Sequence, residues 1–481
     1  MRGVWPAEAI REAERQALAH TPEGALMQRA ATAVAVTATQ LLRGRTGGGY
    51  GRRVGVLVGS GSNGGDALYA GARLAAAGVV VRAVLLAPDR VHRAGLRALR
   101  AAGGRVLDAD LAEAWMTTAD LVIDGIVGLG GKPGLRGAAV ELADTLVQTG
   151  VPVVAVDLPS GIDGDTGAVP QRAIAATTTV TFGGLKPGLL IGPGADHAGD
   201  VRFVDLGFDE YLAEPELQVL EAADVVDLLG VPGPEDDKYT RGVVGVVAGG
   251  PEYGGAAVLC TGGAVQAGAG MVRYAGAAPD AVRTAWPQVV VQDDVPSAGR
   301  VQAWVVGPGL GTGDAARESL RQVLAEDVPV LVDADAITLL AGADFAGALA
   351  ARTQPTVLTP HDREFERLFG AVGDDRVGAA RMATADSGAV VLLKGNTTVV
   401  AGPAGPAYLN PTGTPWLATA GSGDVLSGII GTLLASGLPA ELAAACGAYL
   451  HGVAGQLAAA DGPPSAADVL AAVRSARRHL Q

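Results

Sequence analysis

The sequence is short of cysteine, of long apolar runs and of positive charge, and each shortage removes a class of function. Cys260 and Cys446 stand alone among 481 residues, each in small apolar surroundings. That excludes a disulfide framework and leaves buried free thiols as the expectation. Although 49% of the residues are hydrophobic, the apolar runs fall far below the roughly 20 residues needed to cross a bilayer. The opening MRGVWPAEAIREAERQALAH interleaves charge with Ala and Leu and lacks the apolar centre of a secretory signal, so a cytoplasmic location is expected. With 36 basic against 50 acidic residues the formal charge is −14. Such a field repels nucleic acid and anionic membranes, and neither is an expected partner. An anionic ligand must be held locally.

A chain of 481 residues exceeds what one core supports, and two domains are expected. Its 71 glycines, about twice the average share, lie in short loops after apolar segments. Apolar β-rich segments alternate with Ala-rich stretches of helical character, the pattern of an α/β fold with a largely parallel sheet. The pattern occurs twice. Strands are expected near Val54 to Val58, Val79 to Leu86, Leu121 to Asp124, Val153 to Asp157, Thr178 to Phe182 and Val201 to Val204. The second set is Val243 to Val247, Ala303 to Val306, Val328 to Asp333, Thr356 to Leu358, Ala389 to Leu393 and Thr398 to Ala401. A charged, proline-bearing segment between the sets places the domain boundary near residue 215, giving domains 1–215 and 216–481, the first expected as a Rossmann-like three-layer α/β/α domain and the second as another α/β/α domain.

VGVLVGSGSNGGDALYAGARLAAAG runs from an apolar strand through glycines into a helix. Glycines let the backbone approach an anion, and the helix start supplies amide donors and a positive dipole end. Gly59, Gly61 and Gly64 satisfy the dinucleotide pattern G-x-G-x-x-G. The acidic residue of that pattern is represented at best by Asp89, beyond Pro88 and past the strand, so an ordinary Rossmann dehydrogenase is poorly supported. Asn63 and Asp66 flank the glycines and favour sugar, water or cation contacts. Asp124 closes LVID and Asp157 closes VVAVD. Ligands of open parallel sheets bind outside the carboxyl ends of the strands, so both carboxylates are expected to point into the crevice bordered by the glycine loop.

Together GSGSNGGD, DLVIDGIVGLG, VVAVDLPSGIDGDTG and GLKPG, in that order and preceded by ALMQRAA, resemble the NAD(P)H-hydrate epimerase domain over the first 210 residues. The resemblance implies that Ser62, Asn63, Gly64, Gly65 and Asp66, the segment starting at Gly128, and Asp157 bind the hydrated dinucleotide. It also implies that Asn63, Asp124 and Ser160 hold a potassium ion. Asp157 is the expected acid–base group. Family loops usually read NNGGDG, where this chain has Ser62 and Ala67 at the outer positions.

In the second half, GTPWLATAGSGDVLSGIIGTLLASG places a small-residue loop, Thr419 to Gly423, before an apolar helix expected to start at Asp424. Amides of Gly421, Ser422 and Gly423 would converge on a transferring phosphoryl group. Asp424 would accept a proton from a substrate hydroxyl. An Asp in a first helical turn also complements the helix dipole, but capping does not explain the glycines.

GSGD resembles the catalytic loop of the ribokinase-like superfamily. VVGPGLGTG, VLVDADAITLL, VLTPHDREFERLFG and VVLLKGNTTVVAGP follow the order seen in NAD(P)H-hydrate dehydratases, a resemblance covering about residues 225 to 480. It implies a ribokinase-like fold in which Gly309 and His361 contact the hydrate. Lys394, Gly395, Asn396, Thr397, Thr398 and Gly423 would then contact the adenine nucleotide, and Asp424 the substrate hydroxyl. Asp362-Arg363 stands where the family usually has Pro-Gly. The implied reaction is phosphorylation of the hydrate by ADP or ATP, with Mg²⁺ on the nucleotide phosphates, then loss of phosphate. The small-molecule partners are hydrated NADH or NADPH and an adenine nucleotide, and the family is usually homo-oligomeric. A vitamin or sugar kinase could also carry GSGD, but has no use for an epimerase-like domain. A non-catalytic nucleotide sensor would not need Asp157 and Asp424.

Overall fold

The computed structural model describes residues 1–345 and 347–480; Gln481, the end of the expected second domain, lies outside the described residues. Contacts divide the chain into Gly3–Pro215 and a second unit of Glu216–Gln481 with Met1–Arg2.

In the first unit seven strands form one parallel sheet in the order Arg105–Val106, Val80–Leu85, Arg53–Val58, Leu121–Gly125, Val153–Val156, Thr178–Phe182, Asp200–Val204. The central strands are buried on both faces, which is why they are rich in Val, Leu and Ile. The chain moves from Arg53–Val58 outward to one edge, then returns to Leu121–Gly125 and proceeds to the other. Strand order therefore reverses between Arg53–Val58 and Leu121–Gly125, the topological switch point where ligands of such sheets bind.

In the second unit the order from Leu217–Val219 runs through Ala407–Asn410, Thr398–Ala401, Val390–Leu393, Thr356–Leu358, Val330–Val332, Ala303–Val306, Val243–Val247 and Met271–Ala275 to Val290–Gln292. Pairing is parallel from Val390–Leu393 to the Val290–Gln292 edge. It turns antiparallel around Thr398–Ala401. The helix Ser422–Ala435 is apolar on nearly all sides and almost wholly buried, as an all-round hydrophobic helix must be. It crosses the helix Gly254–Ala267 closely enough that a Cβ on Gly428 would strike the carbonyl of Cys260, and one on Gly263 the carbonyl of Val425. Gly428→Ala is therefore expected to destabilise this unit by about 1–3 kcal/mol or more, seen as a lower midpoint in thermal unfolding. Cys260 and Cys446 are free and buried, and burial pushes the Cys446 thiol to about 12. No helix among the described residues is long and apolar enough to cross a membrane.

Candidate functional site

Beyond the strand Arg53–Val58 the chain turns so tightly that a Cβ on Gly59 would run into the carbonyl of Ile126, while the Gly59 amide donates to Gly125 O at 3.0 Å. Gly61, at φ 92°, then caps the helix Ser62–Ala76. Ser62, Asn63, Gly64, Gly65 and Asp66 form its first turns. A Cβ on Gly65 would come within 3.0 Å of His92 and Met27. Ser62, Asn63, Asp66, Gly128 and Asp157 line one cleft of about 870 Å³, with Glu14, Tyr69, His92, Phe182 and Phe208. Asn63 Nδ2 and Asp66 Oδ1 are buried there without a hydrogen-bond partner. Gly128 lies against Asn63, its Cβ position 2.9 Å from Asn63 Oδ1.

Asp157 has φ 67°, a left-handed conformation rare for a residue with a side chain. Holding it there costs of order 1–3 kcal/mol, strain of the kind concentrated at functional sites. Its carboxylate accepts from Lys186 Nζ at 2.5 Å. Lys186 is fully buried and also donates to Thr181 Oγ1 at 2.8 Å and Phe182 O at 2.7 Å, so all three ammonium protons are used. Burial pulls the Lys186 amine down, and the adjoining Asp157 carboxylate opposes this. Burial and the neighbouring charges of Asp157 and Glu14 push the Asp66 carboxyl well up; burial and Asp157 raise Glu14 likewise.

Asp124 differs from its expected placement. It is fully buried and does not line the cleft. Its oxygens accept from Ser160 N at 2.8 Å and Ser160 Oγ at 2.6 Å, and Ser160 Oγ in turn accepts from Val127 N at 2.9 Å. The reason is that the Ser160 turn folds back over the strand end and takes up the carboxylate. Burial raises the Asp124 carboxyl to about 6, with the Ser160 bonds opposing.

In the second unit the helix begins at Ser422, two residues before the expected start at Asp424. Gly421, at φ 90°, supplies the left-handed residue from which the helix departs, so Ser422 and Gly423 belong to its first turn. Their amides are thus among the helix-start donors that lack partners within the helix. Asp424, in the same turn, is pushed to about 7 by burial and by Asp333, with Lys394 opposing.

Lys394 Nζ donates to Asp333 Oδ1 at 2.8 Å and lies 3.7 Å from Glu364. Asp333 also accepts from Ser427 Oγ at 2.7 Å. A Cβ on Gly423 would sit 3.7 Å from Lys394 Nζ and 4.0 Å from Asp333, which brings the glycine loop, the lysine and the aspartate together. Burial lowers the Lys394 amine, but Asp333 and Glu364 outweigh it and the net direction is up.

Gly395 and Asn396 lie on the exposed turn between Val390–Leu393 and Thr398–Ala401. Thr397 and Thr398 are buried, and Thr398 pairs with Asn410. His361 is half exposed and caps the helix Asp362–Phe369: Glu364 N donates to its Nδ1 at 3.2 Å, and His361 N to Glu364 Oε2 at 2.9 Å. Gly309, at φ 60°, packs on Tyr253 and Ala256, while Gly421 packs on Leu259. One helix, Gly254–Ala267, thus adjoins both loops. Among the described residues no three His, Cys, Asp or Glu side chains form a group able to hold a metal ion.

Sequence reasoning passed over Lys186, Asp333, Glu14 and Ser427. Asp333 directly follows the strand Val330–Val332, so the strand-end argument applied to Asp124 and Asp157 would have found it. Lys186 lies within GLKPG, whose lysine is enclosed by apolar and small residues.

A family model described as YjeF-related protein N-terminus matches residues 23–188, and one described as NAD(P)H-hydrate dehydratase matches 244–473. A protein of Mycobacterium leprae (strain TN) named bifunctional NAD(P)H-hydrate repair enzyme Nnr is 53% identical over 482 residues, 99% of each chain. The chain belongs to the family of bifunctional NAD(P)H-hydrate repair enzymes. A family member from Mycobacterium tuberculosis (strain ATCC 25618 / H37Rv) is 54% identical over 446 residues, 92% of each chain. The second unit is also similar to the ADP/ATP-dependent NAD(P)H-hydrate dehydratase of Bacillus subtilis, co-crystallised with ATP and Mg²⁺. The likeness has TM-score 0.50 and 26% identity, and covers 55% of this chain and 98% of that one. Within this family the two units are the epimerase and dehydratase domains.

Proposed function

We propose that the chain interconverts the R and S forms of hydrated NADH and NADPH in its first unit and dehydrates the S form in its second, at the expense of ADP or ATP. The observation that supports it most is the convergence of Asp424, Lys394 and Asp333 on the helix start at Ser422.

Asp424 takes the proton of the hydrate hydroxyl. The freed oxygen attacks the terminal phosphorus of the nucleotide, the new O–P bond forming as the bond to the leaving nucleotide breaks. Amides of Gly421 and Gly423 would face the transferring group, where preorganised donors stabilise developing charge, and Ser422 N, which donates to Thr419 O at 3.3 Å, would have to exchange that partner to join them. Lys394, held by Asp333, supplies a fixed positive charge. The C–O bond then breaks with departure of phosphate, and a proton leaves the neighbouring carbon to restore the double bond. Mg²⁺ carried on the nucleotide phosphates would neutralise their charge during transfer.

In the first unit Asp157, paired with Lys186 Nζ at 2.5 Å, is the acid–base group at the hydrated carbon. Asp66 faces the same cleft, its carboxyl pushed well up by burial and by the neighbouring Asp157 and Glu14. Asn63 Oδ1, Asp124 and Ser160 would offer oxygen ligands to a cation, the set that suits a hard ion such as K⁺. Such an ion would supply positive charge beneath the glycine loop. A cytoplasmic, homo-oligomeric enzyme is part of the same reading.

Bound K⁺ is expected to stabilise this unit by about 2.7 kcal/mol at a hundredfold excess over its dissociation constant. The rise in unfolding midpoint in KCl over choline chloride should disappear in Asp124→Asn. The function itself is tested by the return of reduced-nicotinamide absorbance from mixed hydrate epimers with Mg²⁺ and either nucleotide. No return with either nucleotide would refute the dehydratase reading.

A further inference from the structure

Two loops of the dehydratase unit meet at one residue, Lys394. One follows the strand Thr356–Leu358 and carries His361; the other follows Val390–Leu393 and carries Lys394 to Thr397, leading into the strand that opens at Thr398. The backbone N–H of Lys394 donates to Pro360 O at 2.9 Å. Its carbonyl accepts from Arg376 Nη2 at 2.7 Å. Arg376, at the start of the helix Arg376–Ser387, turns both Nη atoms on Asp362, at 3.0 and 2.8 Å. Its side chain is only 16% exposed, and Gly395 lies so close that an added Cβ would come within 2.9 Å of Nη2.

We propose that Asp362 and Arg376 are positioning residues that couple nucleotide binding at Lys394–Thr398 to the placement of His361 over the hydrate. The inference rests on the function proposed above and goes beyond it. A guanidinium presents a planar fork that fixes two partners in a set geometry, which a lysine cannot reproduce. Asp362 immediately follows His361 and opens the helix that His361 caps. Any movement of the Lys394 carbonyl on nucleotide binding is therefore passed through Arg376 to the residue adjoining His361. The coupling is reciprocal, so hydrate bound at His361 tightens nucleotide binding by the same factor. Where the resembled family usually has Pro-Gly, this chain has Asp362-Arg363, and a proline at 362 could not form the pair. Asp362 is 60% exposed, and ion pairs of that kind contribute little to folding stability, so neutralising it leaves the fold standing.

The test is hydrogen–deuterium exchange on the full chain with and without Mg-ATP, for the unmodified protein, Asp362→Asn, Asp362→Glu and Arg376→Lys. In the unmodified protein ATP slows exchange at residues 394–398 and also at 361–365. In Asp362→Asn and Arg376→Lys protection at 394–398 persists and that at 361–365 is lost, and Asp362→Glu restores it. In turnover, the fall in nucleotide KM with rising hydrate concentration, about fivefold or more, disappears in Asp362→Asn while epimerisation is unchanged. Protection of 361–365 that survives in Asp362→Asn overturns the coupling, as does its absence in the unmodified protein when 394–398 is protected. Failure of ATP to protect 394–398 at all contradicts the nucleotide site itself, and the coupling with it.

Discussion

Asp424→Asn is expected to lower dehydratase turnover by roughly 10²–10⁴-fold, the usual contribution of a positioned general base, with nucleotide KM little changed and epimerisation intact. Asparagine keeps the size of the side chain but cannot take the hydroxyl proton. The pH profile carries the same assignment. A base must be deprotonated to act, and burial with Asp333 nearby raises Asp424 to about 7. Turnover of the unmodified enzyme should therefore be full above that pH and fall by about tenfold for each unit below it. The residual activity of Asp424→Asn should lack this acidic limb. A limb that persists in the variant would assign it to another group.

The second large effect is expected at Asp157. Asp157→Asn retains an acceptor for Lys186 but removes the acid–base group, and epimerisation should fall by roughly 10²–10⁴-fold with dehydration of the S epimer unaffected. Lys186→Met should also abolish epimerisation, for a different reason. It leaves the Asp157 carboxylate, Thr181 Oγ1 and Phe182 O without their common donor in a buried site. Removing one member of a buried pair costs about 3–5 kcal/mol, so this variant should also unfold at lower temperature. Retention of epimerase activity in folded Lys186→Met would show that Asp157 does not depend on the lysine.

Much of this was legible in the sequence because parallel sheets announce themselves. Thr178–Phe182, Val243–Val247, Ala303–Val306, Thr356–Leu358 and Thr398–Ala401 are where the β-rich segments placed them, since strands buried on both faces are rich in apolar and β-branched residues. The strands Met271–Ala275, Val290–Gln292 and Ala407–Asn410 were passed over. They are short or carry polar residues such as Arg273 and Asn410, and their pairing depends on distant partners more than on their own propensity.

The same division holds at the sites. Gly59, Gly61 and Gly421 could be read because only glycine fits those close approaches and left-handed turns. That Asp124 would be drawn beneath the cleft by Ser160, or that Lys186 would be buried whole beside Asp157, depends on contacts 36 and 29 residues apart along the chain. No local pattern encodes them. The two-residue error at Ser422 has a simpler origin. Small residues look like loop, yet one left-handed glycine suffices to start the helix directly after it.

The most direct measurement starts from the pure R epimer of hydrated NADH, supplied with Mg²⁺, K⁺ and ADP or ATP, and follows the return of reduced-nicotinamide absorbance before spontaneous epimerisation contributes. The unmodified chain should convert it fully. Asp157→Asn and Asp424→Asn should each stall when assayed alone and recover full conversion when mixed, because each supplies the domain the other lacks. Conversion of the R epimer by Asp157→Asn alone, at the unmodified rate, would contradict the assignment of one epimer to each site.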